Sequence, residues 1–74
     1  MEGLQPNENK PGRWRLGDRE LQDGDLIEIL LEGRWHVARY EYKVSLREYQ
    51  LKVDGKYISI VTGTPARAYP AAHG

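Results

Sequence analysis

Leu26–Val61 reads LIEILLEGRWHVARYEYKVSLREYQLKVDGKYISIV, and this stretch decides the fold. It divides into four strand-like segments joined by three turns, with two-residue turns at Glu32-Gly33 and Asp54-Gly55. Such a turn is a strong hairpin signal because both of its central residues must tolerate positive φ. The Asp54-Gly55 turn sets Val53 opposite Lys56, Leu51 opposite Ile58 and Tyr49 opposite Ile60. These residues share one face, and Glu48, Gln50, Lys52, Tyr57 and Ser59 share the other. That alternation is the pattern of a half-buried antiparallel pair. The Glu32-Gly33 turn sets Leu31 opposite Arg34, Ile29 opposite His36 and Ile27 opposite Ala38, with Tyr40 and Tyr42 continuing the same face. Its opposite face carries Leu26, Glu28, Leu30, Trp35, Val37, Arg39 and Glu41. Both faces of this hairpin are partly apolar. A simple two-layer sheet does not need that, whereas long strands that bend to serve two half-sheets of a small barrel do.

Outward from this stretch the chain changes character. Residues 1–13 hold two prolines, and the first twelve also contain two glycines and two asparagines, with few apolar side chains. This composition predicts a flexible, disordered arm. Trp14 and Leu16 lie on one face of an extended piece that docks on the domain, and Leu21 anchors the chain before the Asp23-Gly24-Asp25 turn. After Thr62-Gly63-Thr64, a strand over residues 65–69 closes the barrel, Pro65 occupying the first strand position that proline tolerates. The expected organisation is a disordered arm over 1–13, a five-stranded barrel over 14–69 and a flexible tail over 70–74.

Seventy-four residues suffice for one domain with a modest core. Cysteine is absent, so neither disulfides nor thiolate metal sites support the fold. No long apolar run reads as a signal or a membrane span, and a cytoplasmic protein without membrane association is expected. Eleven Lys/Arg balance eleven Asp/Glu, and from Gly24 onward the count is seven against six. A dedicated nucleic-acid binder of this size carries a marked basic excess, because phosphate neutralisation dominates its affinity.

The Gly24-Asp25 entry, Gly33-x-Trp35-x-x-Ala38 and the Asp54-Gly55 hairpin together resemble an SH3-like barrel of Tudor type, over Leu21 to Tyr69. A closer resemblance is to a family of short bacterial domains of unknown function. Its pattern is met here by Leu21, Gly24, Asp25, Glu28, Gly33, Trp35, Arg39, Glu41, Tyr42 and Tyr49. The resemblance implies an all-β SH3-like fold in a bacterial protein and assigns no activity. Tudor domains read methylated Lys or Arg with an aromatic cage. In this chain Leu30 and His36 stand where two cage aromatics belong, which argues against that activity.

Three surfaces are candidates for function. Trp35, Leu30, Val37 and Arg39, with Leu26 nearby, form an outward patch suited to protein binding, since Trp is enriched at interface hot spots. The plainer reading is that Trp14, Leu16 and Leu21 cover this patch, because contiguous exposed apolar surface is rare on monomers; Trp14 is then cover or co-participant. Lys43, Arg47, Lys52 and Tyr57 form a second set that combines cations with a stacking ring, as single-stranded nucleic-acid binding requires; a cross-strand Lys–Tyr contact explains them equally. The third surface is an exposed edge strand that recruits a second copy or a peptide.

His36, mid-strand on the core-facing side, and His73, in the tail, are too few for a metal site. Glu28 and Glu41 share a face with Arg39 and read as a surface ion pair of little energetic weight. Ser45 and Ser59 have no histidine partner in the pattern, and Gly63-Thr64-Pro65 lacks the lysine of a phosphate cradle. The expectation is a non-catalytic, cofactor-free protein-interaction module, a monomer or weak dimer. Nucleic-acid binding and self-association through edge strands are the alternatives.

Overall fold

A computed structural model describes residues 2–70, and their regular structure is entirely β-strand. The strands are β1 (Leu4–Pro6), β2 (Trp14–Leu16), β3 (Arg19–Glu20), β4 (Leu26–Leu31), β5 (Arg34–Lys43), β6 (Glu48–Val53), β7 (Lys56–Ser59) and β8 (Ala66–Ala68). They form two antiparallel sheets: β1-β2-β3, and a five-stranded sheet in the order β7-β6-β5-β4-β8. Met1 and residues 71–74, which include His73 and most of the expected tail, lie outside the described residues.

Both hairpin registers follow the turn chemistry. Glu32 and Gly33 adopt φ of 50° and 76°, and Asp54 and Gly55 adopt 50° and 78°. Two successive positive φ values belong to the turn whose twist matches that of paired strands. Leu31 pairs with Arg34, Ile29 with His36 and Ile27 with Ala38, and in the second hairpin Val53 pairs with Lys56 and Leu51 with Ile58. The final strand is present as β8, which runs beside β4 with Ile29 opposite Ala66 and Ile27 opposite Ala68.

Two expectations need correction. The strands of Leu26–Val61 together with β8 do not close into a barrel; they make one open sheet. Nor are residues 1–13 a disordered arm. Leu4 is fully buried, β1 pairs with β2 with Leu4 opposite Leu16, and the chain before β1 is sewn to the β7–β8 connection. There the Leu4 N–H donates to the Thr64 carbonyl at 2.9 Å, the Gly63 N–H to the Leu4 carbonyl at 2.7 Å and the Ala66 N–H to the Glu2 carbonyl at 3.0 Å. Gly3 permits this approach, since a Cβ there would stand 3.0 Å from the Gly63 carbonyl oxygen. The physical reason for the correction is that a polar segment needs only one well-placed apolar side chain, plus backbone pairing, to become a strand.

The core lies between the sheets. Leu4, Leu16 and Leu21 come from the N-terminal sheet and its exit, and pack with Ile27, Ile29, Ala38, Tyr40, Leu51, Val53 and Ala66. Tyr40 joins the two layers: its ring stacks on Tyr49 with centroids 4.4 Å apart, and its hydroxyl accepts the Trp14 backbone N–H at 3.1 Å. Its backbone also bonds Gly24 and Asp25, extending β5 along the chain that enters β4. At the surface of the N-terminal sheet Glu20 gathers Lys10, Arg13, Asn7 and Gln22. The Lys10 hydrogen bond, opposed in part by burial, holds the Glu20 carboxyl below its ordinary pKa.

A 74-residue domain has a stability of about 4–11 kcal/mol at typical values per residue. Leu4→Ala is expected to remove about 2–5 kcal/mol, the usual cost of emptying a buried leucine site. Urea unfolding checks this; a loss under about 0.5 kcal/mol would mean that β1 is not part of the folded unit.

Burial pushes the Tyr40 hydroxyl up from its ordinary pKa of 10 to about 12, partly opposed by the Trp14 N–H. A folded pKa above the unfolded one means the folded state holds the proton more tightly. This stabilisation is complete below pH 10 and is lost as pH rises through about 12. Unfolding free energy measured across that window should fall, and Tyr40→Phe should flatten the fall.

Candidate functional site

Alternation along each strand sends one set of side chains to the core and the other to the outer face of the five-stranded sheet. From β4 the outer set is Leu26, Glu28 and Leu30, and from β5 it is Trp35, Val37, Arg39, Glu41 and Lys43. Trp14, Leu16 and Leu21 do not cover this face. Leu16 and Leu21 lie in the core, and Trp14 packs against it, on the opposite side of the sheet. The cover expected for the outer patch is therefore corrected, and Trp14 is separated from the other candidate protein-binding residues. Among the described residues, no second half-sheet lies against the apolar side chains on the second face of the Glu32-Gly33 hairpin. Val37 is 44% exposed, with Leu26, Leu30 and Trp35 half-buried around it.

One edge of the patch is a three-residue stack. The register places Glu28 opposite Arg67 and Leu30 opposite Trp35. Arg67 donates from Nε to Glu28 Oε1 at 2.9 Å, and its guanidinium lies 4.0 Å from the Trp35 ring centroid. The cation–π contact and ion pair hold the indole against the sheet. Glu28 is thus paired with Arg67 rather than with Arg39, which stays exposed between Leu26 and Lys52.

The second candidate set lies on the same face, nearer β7. Tyr57 is opposite Lys52, with Lys43 Nζ 3.9 Å and Lys52 Nζ 5.5 Å from its ring centroid. Its hydroxyl donates to Glu41 Oε1 at 3.2 Å, while Glu41 Oε2 is buried without a partner among the described residues. Arg47 stands apart in the β5–β6 turn at φ 54°, with no hydrogen bond or ion pair to this cluster among the described residues. The structure thus brings together three of the four residues in this set and joins both candidate sets into one surface.

Two clefts that the sequence reading missed lie off this face. One, of about 230 Å³, is bounded by Trp14, Tyr49 and Ile60, with Gly12, Glu48 and Ser59 at its mouth. The other, of about 290 Å³, has a floor of Leu31, Val53 and Ile58 and a rim that includes Lys56 and the His36–Asp54 pair, 3.5 Å apart. Their signal in the sequence is Ile58 and Ile60, apolar and alternate on the last strand of a hairpin.

Among the described residues no group of three or more His, Asp or Glu comes together in a metal-holding arrangement, and no helix is long and apolar enough to cross a membrane. Comparison of the chain with protein families, with characterised proteins and with solved structures found no match.

Arg67→Ala is expected to free the Trp35 ring and shift the indole fluorescence. Stability should change by less than about 1 kcal/mol, since the ion pair is half-exposed. An unchanged emission spectrum would mean that Arg67 does not rest on Trp35 in solution.

Proposed function

We propose that this chain is a non-catalytic protein-interaction module whose partner docks on the outer face of the five-stranded sheet. Trp35, Leu30 and Val37 form the apolar centre and Arg39 the polar rim. The observation that carries this reading is the apolar surface around Val37, which no strand among the described residues covers, since the apolar side chains of the N-terminal segment pack into the core on the other side of the sheet. Surface of this kind, rimmed by polar residues, marks interaction sites on soluble domains. A tryptophan held flat by Arg67 offers contact area at small entropic cost on binding. The SH3-like plan belongs to this proposal: a five-stranded sheet and a short N-terminal sheet enclose one core, sewn along residues 2–4 and 63–66.

Nucleic-acid binding at Lys43, Lys52 and Tyr57 is the second reading, favoured by their convergence. It ranks lower because Lys43 already occupies the Tyr57 ring and Glu41 holds its hydroxyl, so a stacking base would have to displace both.

Leu30→Glu and Val37→Glu each place a charge in the patch without touching the core. Both variants should keep the wild-type circular dichroism spectrum. Each should also lose at least about tenfold of the affinity for any partner that the wild-type domain retains, a change of about 1.4 kcal/mol. Retention of the same partner by both variants would move the site elsewhere. Titration with a ten-residue oligothymidylate at low salt should leave the Tyr57, Lys43 and Lys52 amide resonances in place; salt-sensitive shifts there would favour the nucleic-acid reading.

A further inference from the structure

The geometry points to a second binding site along the free edge of β7. Its occupant is an extended peptide that adds to the sheet antiparallel to β7, with apolar residues at alternate positions followed by acidic ones. The edge supplies the backbone chemistry. β7 pairs with β6 and has no second neighbour among the described residues. Because the two-residue turn makes Val53 and Lys56 a hydrogen-bonded pair, Lys52–Tyr57 and Gln50–Ser59 are non-bonded pairs. The N–H and C=O groups of Tyr57 and Ser59 therefore face away from β6, with no partner among the described residues. Only another extended backbone matches donors and acceptors at that spacing. The opposite edge of the sheet is less open, because Ala66 of β8 already donates to the Glu2 carbonyl.

The clefts supply side-chain specificity in the same register. Ile58 lines one and Ile60 the other. These residues are two apart on the inner face, so the clefts open at the spacing of alternate residues of an added strand, about 6.6 Å. In an antiparallel peptide the residue opposite Ile60 reaches the Trp14–Tyr49 cleft, and the residue opposite Ile58 reaches the Leu31–Val53 cleft. Both positions call for apolar side chains.

Charge completes the description of the occupant. Residues opposite Tyr57 and Lys56 come next along the peptide. Around them lie Lys43 and Lys52, over the Tyr57 ring, and Lys56, none of which has an ion-pair partner among the described residues. Glu41, Asp54 and Glu48 keep their charges, Glu41 and Glu48 in hydrogen bonds to the Tyr57 hydroxyl and the Gln50 amide and Asp54 beside His36. None of them forms an ion pair with these lysines among the described residues. Three ammonium groups at this end are thus free to pair with carboxylates of an added strand, so the C-terminal half of the peptide is acidic.

The probe is the capped pentapeptide acetyl-Leu-Thr-Val-Glu-Glu-amide, titrated into the ¹⁵N-labelled full chain at low salt. The expected result is saturable shifts centred on the Tyr57 and Ser59 amides and the Trp14 indole. Replacing both glutamates of the peptide by lysine, or Leu and Val by serine, should weaken binding at least about tenfold. N-methylation separates backbone pairing from general stickiness. A methyl on the Thr or first Glu nitrogen, opposite Ser59 and Tyr57, should abolish binding, and one on the Val nitrogen should not. In the protein, Ser59→Pro removes an edge donor and should abolish the shifts, while Val37→Glu leaves them unchanged, which separates this site from the outer face. The inference is overturned by the absence of shifts up to millimolar peptide, or by equal tolerance of methylation at all three nitrogens. It is equally overturned by a peptide-free, concentration-dependent dimer that shifts the same amides, since β7 would then recruit a second copy.

Discussion

The hydroxyl of Tyr40 accepts the backbone N–H of Trp14 from the middle of the core, and much of the molecule depends on that contact. Tyr40 is the largest fully buried side chain, and a buried phenol without a partner would be costly. Meeting its hydrogen bond with the Trp14 backbone locks β2 over the inner face of the large sheet. The stacking of Tyr40 on Tyr49 fixes the angle of approach from the other side. Together these contacts decide which face of the five-stranded sheet the N-terminal sheet covers. They also bring Trp14 beside Tyr49, where the two form the walls of a cleft at the end of β7.

The rest of the surface follows from this placement. With the inner face closed by Leu4, Leu16 and Leu21, the apolar side chains on the outer face of the Glu32-Gly33 hairpin are covered by no other strand among the described residues. The Glu28–Arg67–Trp35 stack and the Glu41–Tyr57–Lys43 cluster then organise that face into two polar-edged halves. β7 remains at the sheet edge because the chain leaves it for β8, on the far side of β4, rather than folding back alongside it. An interaction face centred on Trp35 and Val37 and a strand edge thus sit side by side, with Lys43, Lys52 and Tyr57 at the boundary between them.

Much of the large sheet was legible beforehand. The Glu32-Gly33 and Asp54-Gly55 turns set the pairings Leu31–Arg34, Ile29–His36, Ile27–Ala38, Val53–Lys56 and Leu51–Ile58. The pairing expected of Tyr49 with Ile60 falls past the end of β7 at Ser59, and Leu21 is the buried anchor its position implies. The outer-face residues were also identified correctly, because period-two alternation is a property of the backbone itself. What was misread came from composition. The segment around Leu4 looks like a disordered arm because the apolar content of one leucine in a polar stretch cannot reveal that it fills a core position. The apolar outer face was read as belonging to a barrel or lying under Trp14, since an amphipathic pattern does not say which surface another segment will choose. The two clefts were not anticipated at all: each draws its walls from segments far apart in the chain.

By itself the sequence determined strand pairing and the division of residues between two faces, because turn sterics and the strand repeat act over two to four neighbouring residues. Only the tertiary structure decided that the N-terminal segment is a strand and that it covers the inner face, so that no described strand lies over the outer face or beside the β7 edge. Those outcomes rest on where the Leu4 and Trp14 N–H groups find acceptors, and these, the Thr64 carbonyl and the Tyr40 hydroxyl, lie 60 and 26 residues further along the chain.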